Sequence, residues 1–278
     1  MSLTAGIGTA GTGTAGSGAN SADDYAVFCD GLRRICGVDL TQYRRPQMER
    51  RLRTFFSRLG IEDLAETLPM LRADNELLDN LLDRATINVS QLWRHPAQIT
   101  HLEQSVLPEL ASATGRVRIW SAGCSYGAEA YTIAAVCRTS IPNARVSIVG
   151  TDIDRRMVER ARAGRFSTDD ARAVPEPTMR AAFDRVADGW QAHEMLRRMM
   201  RFEVGDLLRL QTRPDSHDLV VCRNTVIYFS EPVRDALHQR LAASLRPGGY
   251  LLVGATERVA DASARGLTPT APFFYRKD

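Results

Sequence analysis

Residues 117–128 read VRIWSAGCSYGA, and this stretch decides the fold of the chain. Its apolar first half predicts a buried strand that runs directly into a turn containing Gly123, and helical periodicity begins at about Ala128. In a doubly wound sheet such a turn lies at the carboxyl end of the first strand, where small residues let a ligand approach the backbone and the helix N-terminus. The stretch therefore predicts an α/β fold with a nucleotide-like cofactor at the turn. A purely structural bend would use the same residues.

The alternation of apolar strands and helices continues to the end of the chain. The predicted strands are Val117 to Ser121, Arg145 to Gly150, Met200 to Glu203, Asp218 to Cys222, and Tyr250 to Gly254. The predicted helices are Glu129 to Cys137, Arg155 to Ala163, and Glu231 to Leu245, the last beginning after Ser230 as N-cap and ending before Pro247-Gly248-Gly249. This order indicates a parallel sheet with crossover helices over residues 98–278.

The first third of the chain has a different character. Residues 1–22 are mostly Gly, Ala, Thr and Ser, a composition that predicts a disordered tail. Residues 23–97 are predicted to form a small helical domain, because apolar residues recur at helical spacing, as in Met48, Leu52, Phe55, Phe56 and Leu59. Arg50 and Arg53 lie one turn apart on another face of that helix. This face is either a basic surface for an acidic partner or simply solvated.

Composition limits the classes of function. The 278 residues are 44% hydrophobic, enough for a sizeable core, and the net charge of +3 is too small to argue for nucleic acid. No apolar run approaches the roughly 20 residues that span a bilayer, and no secretory signal is recognisable, so a cytoplasmic protein without membrane insertion is expected. The five cysteines are scattered without a CxxC pair, and the five histidines show no ligand spacing. Reduced thiols and no metal are expected.

Polar residues follow three of the predicted strands. Asp152, after the second strand, lies at the offset of a carboxylate that binds ribose hydroxyls. Asp206, after the third, could accept a hydrogen bond from an adenine amino group. The fourth strand leads into Arg223-Asn224 and Tyr228, at the sheet edge where open α/β sheets bind ligands. The Asp-x-Asp pair that begins at Asp152 could instead hold a metal ion or cap the next helix.

Several motifs, in order, resemble those of the chemotaxis receptor methyltransferases of the CheR type over about residues 25 to 278. They are Tyr43 through Leu52 (YRRPQMERRL), Ile87-Asn88-Val89-Ser90 with Arg94, Trp120 through Ser125 (WSAGCS), Thr151 through Asp154 (TDID), Cys222 through Phe229 (CRNTVIYF), and Pro247-Gly248-Gly249. The resemblance implies a Rossmann-like, S-adenosylmethionine-dependent methyltransferase sheet with a small N-terminal all-helical domain.

The resemblance also implies a cofactor, an acceptor and site residues. S-adenosylmethionine would be the methyl donor and S-adenosylhomocysteine the product. Arg94 and Tyr228 would flank the reacting centre as catalytic residues. The acceptors would be glutamate side chains on the cytoplasmic helices of chemoreceptors, where Arg50 and Arg53 of a monomeric enzyme would dock. The implied cofactor contacts are Asn88, Ser90, Arg94, Gly123, Glu129, Asp152, Asp206, Leu207, Arg223 and Asn224.

The chain departs from the family pattern at two places. Residues 125–132 read SYGAEAYT where STGEEPYS is usual, and Leu92-Trp93 replaces Phe-Phe before Arg94. Tyr126 and Trp93 are therefore expected to enlarge the surroundings of the cofactor and of the acceptor entrance. These changes leave open a methyltransferase acting on a small molecule or another protein, or a non-catalytic cofactor-binding module. It is also open whether residues 165–200 form a small β-insert of the kind with which some members grip a receptor tail.

Overall fold

The structure, a computed structural model, describes residues 23–86 and 90–278, and its N-terminal part is helical. The predicted tail, residues 1–22, lies outside the described residues, as does Asn88. The first four helices are α1 (Asp24–Cys36), α2 (Arg45–Ser57), α3 (Leu68–Ala73) and α4 (Asn75–Thr86). They pack around fully buried apolar side chains that include Phe28, Leu32, Leu52 and Phe56. The predicted all-helical domain is confirmed.

A seven-stranded sheet occupies the rest of the chain. Its strands are β1 (Arg116–Ala122), β2 (Arg145–Asp152), β6 (Met200–Val204), β7 (His217–Cys222), β8 (Leu245–Val253), β9 (Leu267–Ala271) and β10 (Phe274–Lys277). They lie in the order β6-β2-β1-β7-β8-β10-β9. The first five in that order are parallel, and β10 is antiparallel to both β8 and β9. The chain leaves β1 toward β2 on one side and returns to β7 on the other, so the end of β1 is a switch point where ligands bind.

Helices cover both faces of this sheet. The helices of this part of the chain are α5 (Pro96–His101), α6 (Leu107–Thr114), α7 (Ala128–Ser140), α8 (Arg155–Ala163), α9 (Glu176–Ala182), α10 (Glu194–Arg197) and α11 (Glu231–Ser244). Alternate residues of β1 enter two different cores: Val117 and Ile119 pack with α7, whereas Trp120 packs with Leu237 and Leu241 of α11. Burial on both faces is typical of a parallel sheet with crossover helices. Among the residues described, no helix is long and apolar enough to cross a bilayer.

The end of α11 differs from the prediction. The helix ends at Ser244 and β8 begins at Leu245, so Pro247-Gly248-Gly249 lies within the strand and not before it. Leu245 pairs with His217 of β7, and a register shift follows, which accommodates the proline and glycines. Ser230 does occupy the N-cap position, but its side chain makes no capping bond. Its N–H instead donates to the Gln42 carbonyl of the helical domain, at 3.0 Å.

Residues 165–192 contain a second, three-stranded sheet. Strands β3 (Arg165–Phe166), β4 (Phe183–Val186) and β5 (Gly189–Ala192) lie in the antiparallel order β3-β5-β4. Phe166 and Phe183 bury their rings against each other in an edge-to-face arrangement. The small β-insert that the sequence left open is therefore present.

Candidate active site

The turn between β1 and α7 is built around glycine. Gly123 has a φ of +80°, and a Cβ added there would overlap the Thr225 side chain. The N–H groups of Gly123 and Cys124 donate to the Thr151 carbonyl at the end of β2, at 2.9 and 3.1 Å. Gly127, with a φ of +87°, is the N-cap of α7. The backbone of the turn is therefore held against the end of β2, and its glycines leave room for a ligand to approach.

Asp152 lies beside this turn, at the end of β2. Its Oδ2 accepts the Ser125 N–H at 2.7 Å and its Oδ1 accepts the Asp154 N–H at 3.0 Å. Burial raises the pKa of the carboxyl group, and the two backbone donors oppose that rise. Asp154 caps α8 by accepting N–H groups from Arg156 and Met157. The capping alternative thus accounts for the second aspartate of the pair.

One cleft brings the predicted residues together. It lies at the carboxyl ends of the strands and encloses an empty volume of about 1140 Å³, part of it open to solvent. The predicted residues that line it are Ser90, Arg94, Gly123, Glu129, Asp152, Asp206, Leu207, Arg223, Asn224 and Tyr228. Of the predicted cofactor contacts, Asn88 alone is outside the described residues.

A buried ion pair forms one wall of the cleft. Arg223 Nη1 lies 3.4 Å from Glu129 Oε2, and Glu129 Oε1 accepts a hydrogen bond from the Ser121 hydroxyl at 2.7 Å. Burial raises the pKa of Glu129 and lowers that of Arg223, while their mutual attraction opposes both shifts. Arg223 Nε and Asn224 Oδ1 are buried without a hydrogen-bond partner in the described structure. Such groups are normally paired, so these two atoms fit a bound ligand with polar groups of its own.

Asp206 faces the cleft at the end of β6. Its Oδ1 accepts the Leu208 N–H at 2.8 Å, and its Oδ2 lies 3.4 Å from Arg209 Nε. These contacts fix the direction of the carboxylate. The backbone that follows, at Leu207, forms the adjacent part of the wall.

The two residues predicted to be catalytic lie on separate segments. Arg94 is on the loop before α5, and its carbonyl accepts a hydrogen bond from Arg223 Nη2 at 2.7 Å. Tyr228 ends a short 3-10 turn after β7, and the Arg51 guanidinium lies 5.2 Å from the centre of its ring. Burial raises the pKa of Tyr228, so its hydroxyl group stays protonated at neutral pH and can donate a hydrogen bond.

The helical domain contributes residues that the sequence analysis missed. Val38, Asp39 and Tyr43 line the same cleft, and the Tyr43 ring packs 5.1 Å from the ring of Phe229. The only signal was that Tyr43 begins the first motif, to which no cofactor contact was assigned. Glu257 was also missed: its Oε2 accepts the Asn224 N–H at 3.0 Å and so holds the loop after β7.

Arg53 does not lie on a free basic face, which corrects the prediction. Its guanidinium pairs with Asp24 at 2.8 Å and with Glu49 at 2.7 Å, so its charge is already neutralised within the helical domain. Arg50 is exposed, as predicted, and lines a shallow depression with Arg51, Thr54, Phe55 and Arg84.

Tyr126 and Trp93 also lie elsewhere than expected. Neither side chain lines the cleft, because both are buried in the core between the sheet and its helices. The changes at these two positions therefore add no side chain to the described wall of the cleft. Both side chains contribute to the core and not to the wall of the cleft.

These features define a class of protein. A parallel sheet with an antiparallel pair at one edge, and a cleft formed by the turn after β1 and the carboxylate after β2, is that of a Rossmann-like S-adenosylmethionine-dependent methyltransferase. Residues 88–269 match the SAM binding domain of CheR methyltransferase, and residues 23–86 match the all-alpha domain of the same family. The chain belongs to the CheR methyltransferase family.

Two relatives of known family agree with this assignment. The chain is 34% identical over 255 residues to a chemotaxis protein methyltransferase of Listeria innocua, a match that covers 91% of this chain and 97% of the relative. It is 32% identical over 245 residues to chemotaxis protein methyltransferase 1 of Pseudomonas aeruginosa, covering 84% and 89%. The similarity therefore spans both the helical domain and the sheet domain.

Proposed function

We propose that this enzyme transfers a methyl group from S-adenosylmethionine to the carboxylate of glutamate side chains on the cytoplasmic helices of chemoreceptors. The products are a glutamate methyl ester and S-adenosylhomocysteine. The observation that carries the proposal is the convergence of Arg94, Tyr228 and the cofactor-binding wall on one cleft. The enzyme acts as a monomer in the cytoplasm, where such helices lie.

Separate parts of the cleft suit separate parts of the cofactor. Asp152, held by two backbone N–H groups, suits the ribose hydroxyls, and Asp206 suits the adenine amino group. Glu129, Arg223 and Asn224 suit the charged amino-acid end, because a carboxylate, a guanidinium and a free amide oxygen are available there. A Cβ at Gly123 would disturb the turn between these two ends.

The acceptor requires no general base. A glutamate side chain has a pKa of about 4.3 and is already ionised at neutral pH. When bound, S-adenosylmethionine supplies a methyl group on a positively charged sulfur, which a carboxylate oxygen takes up without proton transfer. What the protein contributes is placement of the two reactants, an effect that can supply roughly 7 kcal/mol or more.

Arg94 and Tyr228 are suited to place the acceptor. A guanidinium attracts a carboxylate by charge-assisted hydrogen bonds. The Tyr228 hydroxyl remains protonated and donates a directional hydrogen bond to the same group. Tyr228 is itself fixed, because its carbonyl accepts the Arg44 N–H at 3.0 Å and Arg51 lies against its ring.

The depression beside Tyr228 suits an acidic partner. Arg50 and Arg84 are exposed there, and Arg51 both lines the depression and contacts the Tyr228 ring. Acidic helices attracted to these arginines would lie close to the mouth of the cleft. We keep Arg50 in the docking surface and remove Arg53, whose charge is neutralised by Asp24 and Glu49.

The proposal is tested with methyl-tritiated S-adenosylmethionine and receptor-containing membranes. Wild type should label receptors with methyl esters that base releases, and Arg94→Ala should lower kcat/KM by about 100-fold, which corresponds to roughly 2.7 kcal/mol. Arg276→Ala, at a half-exposed ion pair with Glu109 of α6, is the matched control and should behave as wild type. Base-stable label, label on a small molecule alone, or cofactor binding without turnover of any acceptor would contradict the proposal.

A further inference from the structure

Tyr126 lies in the turn between β1 and α7, but its side chain points away from the cleft. Its side chain is 4% exposed, and the Arg160 guanidinium lies 4.5 Å from the centre of its ring. Its hydroxyl faces two acceptors, the Ser90 carbonyl oxygen and Asp170 Oδ1, the latter at 2.8 Å. Burial and the neighbouring Asp170 raise the pKa of Tyr126, so the hydroxyl keeps its proton and donates. One side chain thus connects the turn, the loop at residue 90 and the β-insert.

Asp170 is itself held firmly. Its Oδ2 accepts hydrogen bonds from both the N–H and the hydroxyl of Ser167, each at 2.9 Å. Its backbone carbonyl accepts the Leu92 N–H at 3.0 Å. Asp170 therefore contacts the loop twice, once through Tyr126 and once through its own backbone.

The loop that these residues hold carries Arg94 into the cleft. Its conformation is costly, because Trp93 and His95 both have positive φ values, 61° and 60°. Such a backbone persists only when its surroundings fix it. Other contacts also hold this loop: the Trp93 N–H donates to the Thr132 hydroxyl at 3.0 Å, and the Arg94 carbonyl accepts from Arg223.

We propose that Tyr126 and Asp170 are positioning residues. They hold the loop that carries Arg94 at a fixed position relative to the turn between β1 and α7. Neither contacts the reactants. Through them the turn, the loop and the β-insert keep one fixed arrangement, so that Arg94 meets the acceptor at the right place relative to the cofactor. This inference rests on the proposed role of Arg94 at the reacting centre.

Tyr126→Phe tests the proposal because it removes the hydroxyl alone. Tyr131→Phe is the matched control: that hydroxyl is also buried in the same core, but it donates to the Ala161 carbonyl at 3.0 Å, away from the loop. Tyr126→Phe should lower kcat about 10-fold and change the Kd of S-adenosylmethionine less than about threefold, because misplacement of a catalytic group mainly affects turnover. Tyr131→Phe should keep the wild-type kcat at a similar loss of stability.

Asp170 variants provide the second arm. Asp170→Ala should lower kcat as Tyr126→Phe does, and the double variant should lose little more, because both changes break one connection. Asp170→Asn should recover most of the kcat lost in Asp170→Ala, because its amide oxygen can still accept from Ser167 while Tyr126 donates to Ser90. Equal kcat values for Tyr126→Phe and Tyr131→Phe would overturn this inference but not the proposed function. A wild-type kcat in Arg94→Ala would instead overturn the proposed role of Arg94.

Discussion

Asp152 shows how a single carboxylate can be prepared for a ligand before the ligand arrives. Both of its oxygens accept backbone N–H groups, one from the turn after β1 and one from the turn before α8. Burial raises the pKa of this carboxyl group, and the two donors stabilise its charged form. The residue is therefore both a structural link between two turns and the proposed partner of the ribose.

Asp152→Asn should weaken cofactor binding. The amide keeps one oxygen acceptor, but its NH2 group would face a backbone N–H. This loss of a hydrogen bond would destabilise the turn and weaken the ribose site. We expect the Kd of S-adenosylmethionine to rise by about 10- to 100-fold, in line with the roughly 1.5–3 kcal/mol of hydrogen bonds to a charged group. Isothermal titration calorimetry measures this, with Asp184→Asn on the exposed edge of the insert as control. An unchanged Kd would remove Asp152 from the cofactor site.

The sequence predicted those site residues that follow strands, since the ends of parallel strands meet at one edge. Asp152, Asp206 and Arg223 are of this kind. The sequence did not predict roles that depend on contacts between residues of distant segments. Arg53 looked free although Glu49 lies four residues before it, and its other partner, Asp24, is 29 residues away in the chain. The contribution of Tyr43 exists only once the helical domain packs against the sheet domain.

At the scale of elements, the connection between β1 and α7 depends on two glycines with positive φ. Gly123 and Gly127 allow the chain to turn sharply and to begin a helix, while the N–H of Gly123 bonds to the end of β2. Side chains other than glycine rarely adopt these conformations. The strand, the turn and the helix therefore form one unit, which the sequence predicted well because its signals are local.

Gly123→Ala should destabilise the protein and abolish tight cofactor binding. The methyl group adds the cost of a positive φ and overlaps the Thr225 side chain, for a total of at least about 2 kcal/mol. Gly60→Ala is the control, because Gly60 has a φ of +73° but no atom within 4 Å of an added Cβ. It should lose only about 1 kcal/mol and bind cofactor normally. Urea unfolding and calorimetry distinguish the two variants, and equal effects would contradict this account of the turn.

Helix α2 supports a pH-dependent prediction about Arg53. Hydrogen bonds from Arg53 lower the pKa of Asp24 to about 2. The ion pair therefore stabilises the fold above about pH 4, and this stabilisation is lost as the pH falls toward 2. Arg53→Ala should raise the pKa of Asp24 toward its usual value, which NMR titration of the carboxyl group measures. The loss of stability at neutral pH should be modest, below about 1 kcal/mol, because Arg53 is partly exposed.

The control is Arg58→Ala, just after the end of α2. It should leave the pKa of Asp24 unchanged. If Arg53→Ala also leaves that pKa at about 2, the ion pair does not exist in solution, and Arg53 returns to the candidate docking surface.

The elements that the sequence missed are those with weak local signals. Strands β9 and β10 are short, lie at one edge of the sheet, and mix apolar with charged residues and Pro269, so they show no clear alternation. Their place is set by pairing with β8, which depends on the folded sheet. The early start of β8 was missed for a similar reason, because proline and glycine usually end a strand.

At the scale of the whole molecule, the two domains meet at the cleft and complete it together. The Arg44 N–H donates to the Tyr228 carbonyl, the Ser230 N–H donates to the Gln42 carbonyl, and Tyr43 packs on Phe229. The helical domain thus holds the segment that carries Tyr228. A ligand in the cleft should therefore stabilise both domains.

Cofactor at 100 times its Kd should stabilise the protein by about 2.7 kcal/mol and raise the Tm by roughly 5–10 °C in one cooperative transition. Differential scanning calorimetry measures this shift. Tyr43→Ala, which removes part of the wall from the helical domain, should show a smaller shift at the same cofactor concentration. Two separate unfolding transitions, of which only one shifts with the cofactor, would contradict a cleft that is formed by both domains.

The most direct measurement is the site of the methyl group on the acceptor. A purified receptor cytoplasmic fragment is incubated with the enzyme and S-adenosylmethionine, and its peptides are mapped by mass spectrometry before and after mild base. We predict one added methyl group on glutamate side chains of surface-exposed helices, removed by base and absent with Arg94→Ala. Methyl groups on lysine, arginine or the peptide termini, or a fragment that stays unmodified while a small molecule is methylated, would contradict a glutamate methyltransferase.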